Sequence, residues 1–183
     1  PTTAPGCACY PRRVADTIDF YFDVISPYVY IAEARLGSLR ARRPDLVIVY
    51  RPVLFAAILG HWGQLGPAEI PAKRACTFKE VVRRCSELGL PFRGAATHPF
   101  NPLTALRALL AAPEDLRPRA AAAVLRAGWG DGAELGDPAA IAAALTAAGL
   151  PGDDLVARAA DPAIKAALAA ETEQAIARGV FGV

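Results

Sequence analysis

Residues 17–32 read TIDFYFDVISPYVYIA, and this stretch decides the fold. Ile18, Phe20 and Phe22 alternate with Asp19, Tyr21 and Asp23. Alternate side chains of a strand point to opposite faces, and β-branched and aromatic residues dominate here, so residues 17–24 are predicted as a strand. Ser26-Pro27 follows at once. Ser is a favoured N-cap, and Pro at the first helical position gives up only an N–H that has no partner there. Residues 28–42 continue as a predicted helix with Ile31, Ala32, Leu36 and Leu39 on one face. Pro44 and Asp45 break it, and residues 46–53, LVIVYRPV, predict a second strand. Strand, helix and strand in so short a span form a βαβ unit, with parallel strands and a right-handed crossover.

Beyond residue 54 the character changes. Residues 55–178 are rich in Ala and carry helical signals almost throughout. Gly-Leu-Pro at 89–91 and again at 149–151 stops two helices. Asp137-Pro138 and Asp161-Pro162 each pair an N-cap with a proline at the next position and start two more. Predicted helices cover residues 104–112, 117–128, 138–148, 153–159 and 162–177. The last residues, GVFGV at 179–183, read as a loop entering a strand. The predicted organisation is an extension (1–16), a βαβ unit (17–54), a helical insertion (55–178) and a return to the first unit (179–183).

The 183 residues carry 21% charged and 54% hydrophobic side chains and a net charge of +2. Lys and Arg are mixed with Asp and Glu along the helices, which gives no basic face for nucleic acid. No apolar run approaches the roughly 20 residues of a membrane span. The four cysteines, Cys7, Cys9, Cys76 and Cys85, form no C-x-x-C and no framework. Free thiols without a framework fit a cytoplasmic setting. Neither histidine, His61 or His98, stands at metal-ligand spacing from a cysteine pair, so no metal site is expected.

The stretch FYFDVISPYVYIA (20–32) is similar to the opening of 2-hydroxychromene-2-carboxylate isomerases and kappa-class glutathione transferases. YRPVLFAAIL (50–59), HWGQLGPAEIPAKR (61–74), LGLPFR (88–93), HPFNPLTALRA (98–108), WGDG (129–132) and ETEQAIARGVFGV (171–183) continue the likeness in the same order. The resemblance implies an α/β thioredoxin-like fold with a DsbA-like helical insertion. It also implies glutathione as cofactor, its thiol held near the first helix, and a homodimer as the expected assembly. The implied reaction is cis–trans isomerisation of 2-hydroxychromene-2-carboxylate, or of a similar intermediate of aromatic degradation, to trans-o-hydroxybenzylidenepyruvate. A kappa-type transferase or peroxidase is the alternative, and a non-catalytic fragment a further one.

The residues agree with this chemistry on their own terms. The N-terminus of a helix has unpaired N–H groups and roughly half a positive charge, which favours a thiolate. Dithiol oxidoreductases place Cys-x-x-Cys there; this chain has Ser26-Pro27-Tyr28-Val29 and cannot cycle a disulfide at that position. A Ser hydroxyl can still donate a hydrogen bond to a sulfur brought by another molecule. Ser26 is therefore both the N-cap candidate and the candidate catalytic residue.

The resemblance adds further candidates, each with a plainer reading beside it. His61 and Trp62 face the substrate in relatives, or form a surface loop with a packed ring. Gln64 stands where relatives often carry Asn. Glu69 and Lys73 form an exposed i,i+4 ion pair, or one of them touches glutathione or substrate; Arg74 is read the same way. His98 and Asn101 lie near the substrate in relatives, or close a proline-bracketed turn. Trp129 reads as a core anchor. Val183 precedes a cis-proline in the family, and its backbone there pairs with glutathione like an added strand. The family continues with a hairpin and a final helix, absent from these 183 residues, so the chain alone is expected to be unstable or inactive.

Overall fold

The computed structural model describes residues 16–183. Strands β1 (Thr17–Phe22) and β2 (Val47–Pro52) pair in parallel, with Thr17 opposite Val47 and Phe22 opposite Pro52. Helix α1 (Pro27–Arg42) joins them. The predicted βαβ unit is therefore present, each strand a residue or two shorter than its hydrophobic pattern. The remainder is helical: α2 (Phe55–His61), a 3-10 turn (Pro67–Glu69), α3 (Pro71–Glu87), α4 (Leu103–Ala111), α5 (Arg117–Leu125), α6 (Pro138–Ala147), α7 (Gly152–Arg158) and α8 (Pro162–Ala177).

The period-2 pattern of β1 gives the two-stranded sheet two apolar faces. Phe20 and Phe22 point to one face, stack on each other and meet the Tyr50 ring edge-on, joining the large core built with α1 and the insertion. Tyr21 points to the other face and meets Val53, Ile58 and Ala175 in a smaller cluster. On that second face Arg51 donates to Asp19 (2.6 Å) and to Glu171 of α8 (3.3 Å), and Arg178 donates to Asp19 (2.6 Å). These paired arginines hold the Asp19 carboxyl below its ordinary range, the Arg51 hydrogen bond foremost. At the edge of β2 the Arg117 guanidinium reaches the Tyr50 carbonyl (3.2 Å). Helices thus cover both faces of the sheet.

The Gly-Leu-Pro stops work as the sequence predicts. Gly89 and Gly149 take φ of +65° and +73°, and the following Leu90 and Leu150 N–H groups return to the Cys85 and Leu145 carbonyls. The left-handed conformation at these positions favours glycine, which has no Cβ to clash. Three expectations differ. The helix predicted over 117–128 leaves α-geometry after Leu125 and widens into a π-segment, Arg126–Gly130. Asp137 caps α6 by accepting from Ala139 N–H, whereas Asp161 makes no side-chain cap on α8. Residues 180–183 form no strand; Trp62 Nε1 donates to the Val180 carbonyl (3.0 Å) and ties that segment to the end of α2.

The core centres on Trp129, fully buried in the π-segment. Its ring packs against Phe78, Phe92, His98 and Phe100. Its carbonyl accepts from the Arg93 and Gly94 N–H groups, and its Nε1–H donates to the Val24 carbonyl at 2.9 Å. The anchor reading of Trp129 holds, and the anchor grips the loop between β1 and α1. Trp129→Phe keeps most of the ring but leaves the buried Val24 carbonyl without its donor. A destabilisation of about 1–3 kcal/mol is expected in a denaturant titration; a change within about 0.5 kcal/mol would show the bond to be incidental.

Candidate active site

A cavity of about 470 Å³ opens at the N-terminal end of α1. Its floor is the β1–α1 loop with Asp23, Ile25 and Ser26. One wall is α2 with Ala56, Leu59 and Gly60, and the opposite wall comes from α3 with Arg74, Thr77 and Phe78. The segment 98–102 and Val183 complete it.

Ser26 sits at the N-cap position in extended conformation but makes no side-chain cap, which corrects the simplest reading of Ser-Pro. Its Oγ–H instead donates to the Val183 carbonyl across 157 residues, at 3.3 Å. The first-turn N–H groups of α1 are thereby left without a side-chain acceptor from their own N-cap. Ser26 is only 7% exposed, and Pro27, Val29, Tyr30 and Ile31 behind it are buried, so the helix start is fixed where its C-terminal half is more open to solvent.

The loop is held partly by itself, with Ser26 N–H on the Asp23 carbonyl (3.1 Å), and partly from elsewhere. His98 Nε2–H donates to the Ile25 carbonyl (3.1 Å), which fixes the neutral ring with Nδ1 as bare acceptor. That Nδ1 is buried and has no partner among the described residues. Burial, with Arg74 nearby as a lesser cause, lowers the His98 pKa. Asp23 is fully buried; Oδ1 accepts from Ile25 N–H (3.0 Å) and Oδ2 from Phe55 N–H (2.9 Å). Burial outweighs those two donors and pushes its carboxyl up to about 7.

Of the sequence candidates, Ser26, Gln64, Glu69, His98 and Val183 line the cavity together, and Arg74 joins them. Arg74 is the one Lys or Arg among the lining residues, and its Nη2 donates to the His98 carbonyl (2.7 Å). His61, Trp62, Lys73 and Asn101 are not in the lining. The Trp62 ring is 44% exposed and edge-on to His61, with its N–H on Val180. Asn101 closes a turn by accepting from Leu103 N–H (3.0 Å). The expected Glu69–Lys73 ion pair does not form: Glu69 accepts from Gly66 N–H (2.5 Å) instead, because the 3-10 turn ahead of α3 brings that donor closer. Asp23, Tyr28, Phe55 and Thr77 also line the cavity and were not singled out from the sequence. The closeness of Asp23 to Ser26 in sequence is the available signal, but an acidic residue in a strand pattern reads first as solvent-facing.

The DSBA-like thioredoxin domain model matches residues 17–183. A 2-hydroxychromene-2-carboxylate isomerase from Sphingobium xenophagum is 31% identical over 168 residues, 91% of this chain and 85% of that protein. The chain belongs to the 2-hydroxychromene-2-carboxylate isomerase family, within the DsbA-like thioredoxin fold. A solved 2-hydroxychromene-2-carboxylate isomerase superposes with a TM-score of 0.80 at 24% identity, covering 91% of this chain and 82% of that one. Glutathione S-transferase kappa 1 from Caenorhabditis elegans is 35% identical over 74 residues, 40% of this chain and 33% of that protein. Among the described residues no helix is long and apolar enough to cross a membrane.

The two shifted groups give stability opposite pH slopes. For His98, whose folded pKa is lowered, stability is complete above the unfolded value of about 6.5 and is lost as pH falls through the folded value. For Asp23, whose folded pKa is raised, stability is complete below the unfolded value and is lost as pH rises towards about 7. His98→Gln is expected to abolish the acid-side loss and leave the other slope. Urea unfolding of both proteins at neutral pH and at about pH 5 checks this; an unchanged acid-side loss in the variant contradicts it.

Proposed function

We propose that this chain is a glutathione-dependent cis–trans isomerase acting on 2-hydroxychromene-2-carboxylate or a similar carboxylated product of aromatic ring cleavage. The observation that carries the reading is Ser26: a hydroxyl, not a thiol, stands in the cavity at the start of α1, and no cysteine lines that cavity among the described residues. A sulfur nucleophile, if one acts here, must arrive with a ligand. The residues fit such a ligand: a helix start whose N–H groups favour a thiolate, a Ser hydroxyl, a guanidinium and the His98 side chain surround one cavity.

When bound, glutathione supplies a thiolate whose reversible addition to the substrate double bond permits rotation. The Ser26 hydroxyl turns its proton from the Val183 carbonyl to the sulfur and stabilises it as an anion. The Val183 backbone is then available to pair with the peptide backbone of the ligand. Arg74 holds a carboxylate, for which its charge makes it the suited residue among those lining the cavity. Phe55, Phe78 and Phe100 offer an apolar wall to an aromatic body. Gln64, Glu69 and His98 contact the substrate, while His61, Trp62 and Asn101 act from outside by fixing segments that line the site. Lys73, one residue before Arg74, serves glutathione only if the ligand extends beyond the cavity rim. The setting is cytoplasmic, with Cys76 and Cys85 as free thiols, and the functional unit a homodimer.

A second reading, a kappa-type transferase or peroxidase, draws on the likeness to the nematode kappa transferase. Turnover of hydroxychromene carboxylate, against chlorodinitrobenzene and a hydroperoxide, separates the two.

Two outcomes test the site. Ser26→Ala is expected to lower turnover by about 10²–10³ and to raise the thiol pKa of bound glutathione. Full activity in that variant, or no glutathione binding by calorimetry in the wild type, contradicts the mechanism. Arg74→Met is expected to raise KM by about tenfold or more with a smaller effect on kcat, the signature of a lost charge-assisted contact to bound carboxylate. An unchanged KM in steady-state kinetics removes Arg74 from that role.

A further inference from the structure

Three polar or charged residues are buried among the described ones: Asp23, Ser26 and Thr172. Thr172 has a plain role on α8, donating to the Leu168 carbonyl and accepting from Leu54 N–H. Asp23 is different, because its two oxygens serve two loops that are far apart in sequence. Oδ1 takes Ile25 N–H in the loop that enters α1, and Oδ2 takes Phe55 N–H at the first residue of α2. Helix α2 has Leu54 at its N-cap, which carries no side-chain acceptor, so its first turn depends on a group from elsewhere. The Asp23 carboxyl fills that need. It also lines the cavity between Ser26 on one side and Ala56, Leu59 and Gly60 on the other.

We propose that Asp23 is a positioning residue: its carboxyl clasps the Ser26 loop to the start of α2 and sets the width of the cavity between them. Ionisation changes both bonds at once, because the same carboxyl accepts both N–H groups. Burial costs the ionised form more than the two donors return and brings the balance between the two forms near neutrality, about 7. The fold therefore holds the clasp more firmly while the carboxyl is protonated. The other titratable or charged groups facing this cavity among the described residues are Tyr28 from α1, Glu69 from the 3-10 turn, Arg74 from the first turn of α3, and His98. Tyr28 donates to Glu80, Glu69 accepts from Gly66, Arg74 donates to the His98 carbonyl and His98 to the Ile25 carbonyl. No hydrogen bond joins any of the four to Asp23 among the described residues. The clasp rests on the fold alone and does not depend on which ligand the cavity takes.

The test is a nuclear magnetic resonance titration of the unliganded wild type across neutral pH. The Asp23 carboxyl carbon and the Ile25 and Phe55 amide protons are expected to move together with one shared midpoint near neutrality. The Ala139 amide, bonded to the exposed Asp137, is the control and stays still. The His98 ring, followed in the same samples, titrates with its own, lower midpoint. In Asp23→Asn, which keeps one acceptor oxygen, the shared titration disappears and at least one of the two amides loses hydrogen-exchange protection by about tenfold or more. Separate midpoints for Ile25 and Phe55, movement that follows the His98 ring, or no movement at all overturns the proposal. So does an Asn variant in which both amides keep their protection. If that variant does not fold, the wild-type titration decides alone.

Discussion

Everything in this molecule depends on a four-residue loop being held from outside itself. Residues 23–26 leave β1 and turn into α1; the turn pairs its Ser26 N–H with the Asp23 carbonyl (3.1 Å) and leaves its inner carbonyls to partners outside it. The Val24 carbonyl takes the Trp129 N–H, the Ile25 carbonyl takes the His98 ring, and the Ile25 N–H takes Asp23. Two of these partners come from the helical insertion, more than seventy residues along the chain. The insertion therefore does more than cover a small sheet. Its aromatic core, centred on Trp129, is the jig that sets where the start of α1 points.

That arrangement gives the site its chemical character. A helix start is electropositive, and burying the side chains behind it keeps water from screening that charge. Burial shapes the proton states of two ionisable groups beside it. His98 is kept neutral with one nitrogen bare, and Asp23 is kept close to its point of ionisation. Arg74 contributes the formal positive charge of the lining, anchored by the His98 carbonyl. Among the described lining residues Arg74 stands with the carboxyls of Asp23 and Glu69 and the hydroxyls of Ser26, Tyr28 and Thr77, around walls that are otherwise apolar.

The sequence made the βαβ unit legible because its signals are local: alternation in residues 17–24, the Ser-Pro helix start and the Asp-Pro and Gly-Leu-Pro punctuation. The same locality explains the misses. The π-segment at Arg126–Gly130 arises where Trp129 must reach Val24, a contact 105 residues away that no window reveals. Ser26 reads locally as a cap, yet its hydroxyl answers to Val183, and Glu69 reads as a partner for Lys73, yet a 3-10 turn gives it Gly66. His98 and Trp129 looked like a turn residue and a core residue; the fold makes both of them supports of the loop. Asp23 stayed hidden because alternation assigns it to an open face, whereas α2 closes over it.

The account stands or falls on the neighbourhood of Ser26. A crystal structure of the protein grown with glutathione tests it most directly. The account predicts the cofactor sulfur within hydrogen-bond distance of Ser26 Oγ, over the first turn of α1, with the ligand backbone alongside Val183. A sulfur lodged away from that hydroxyl, with the Ser26–Val183 bond still intact, would contradict it.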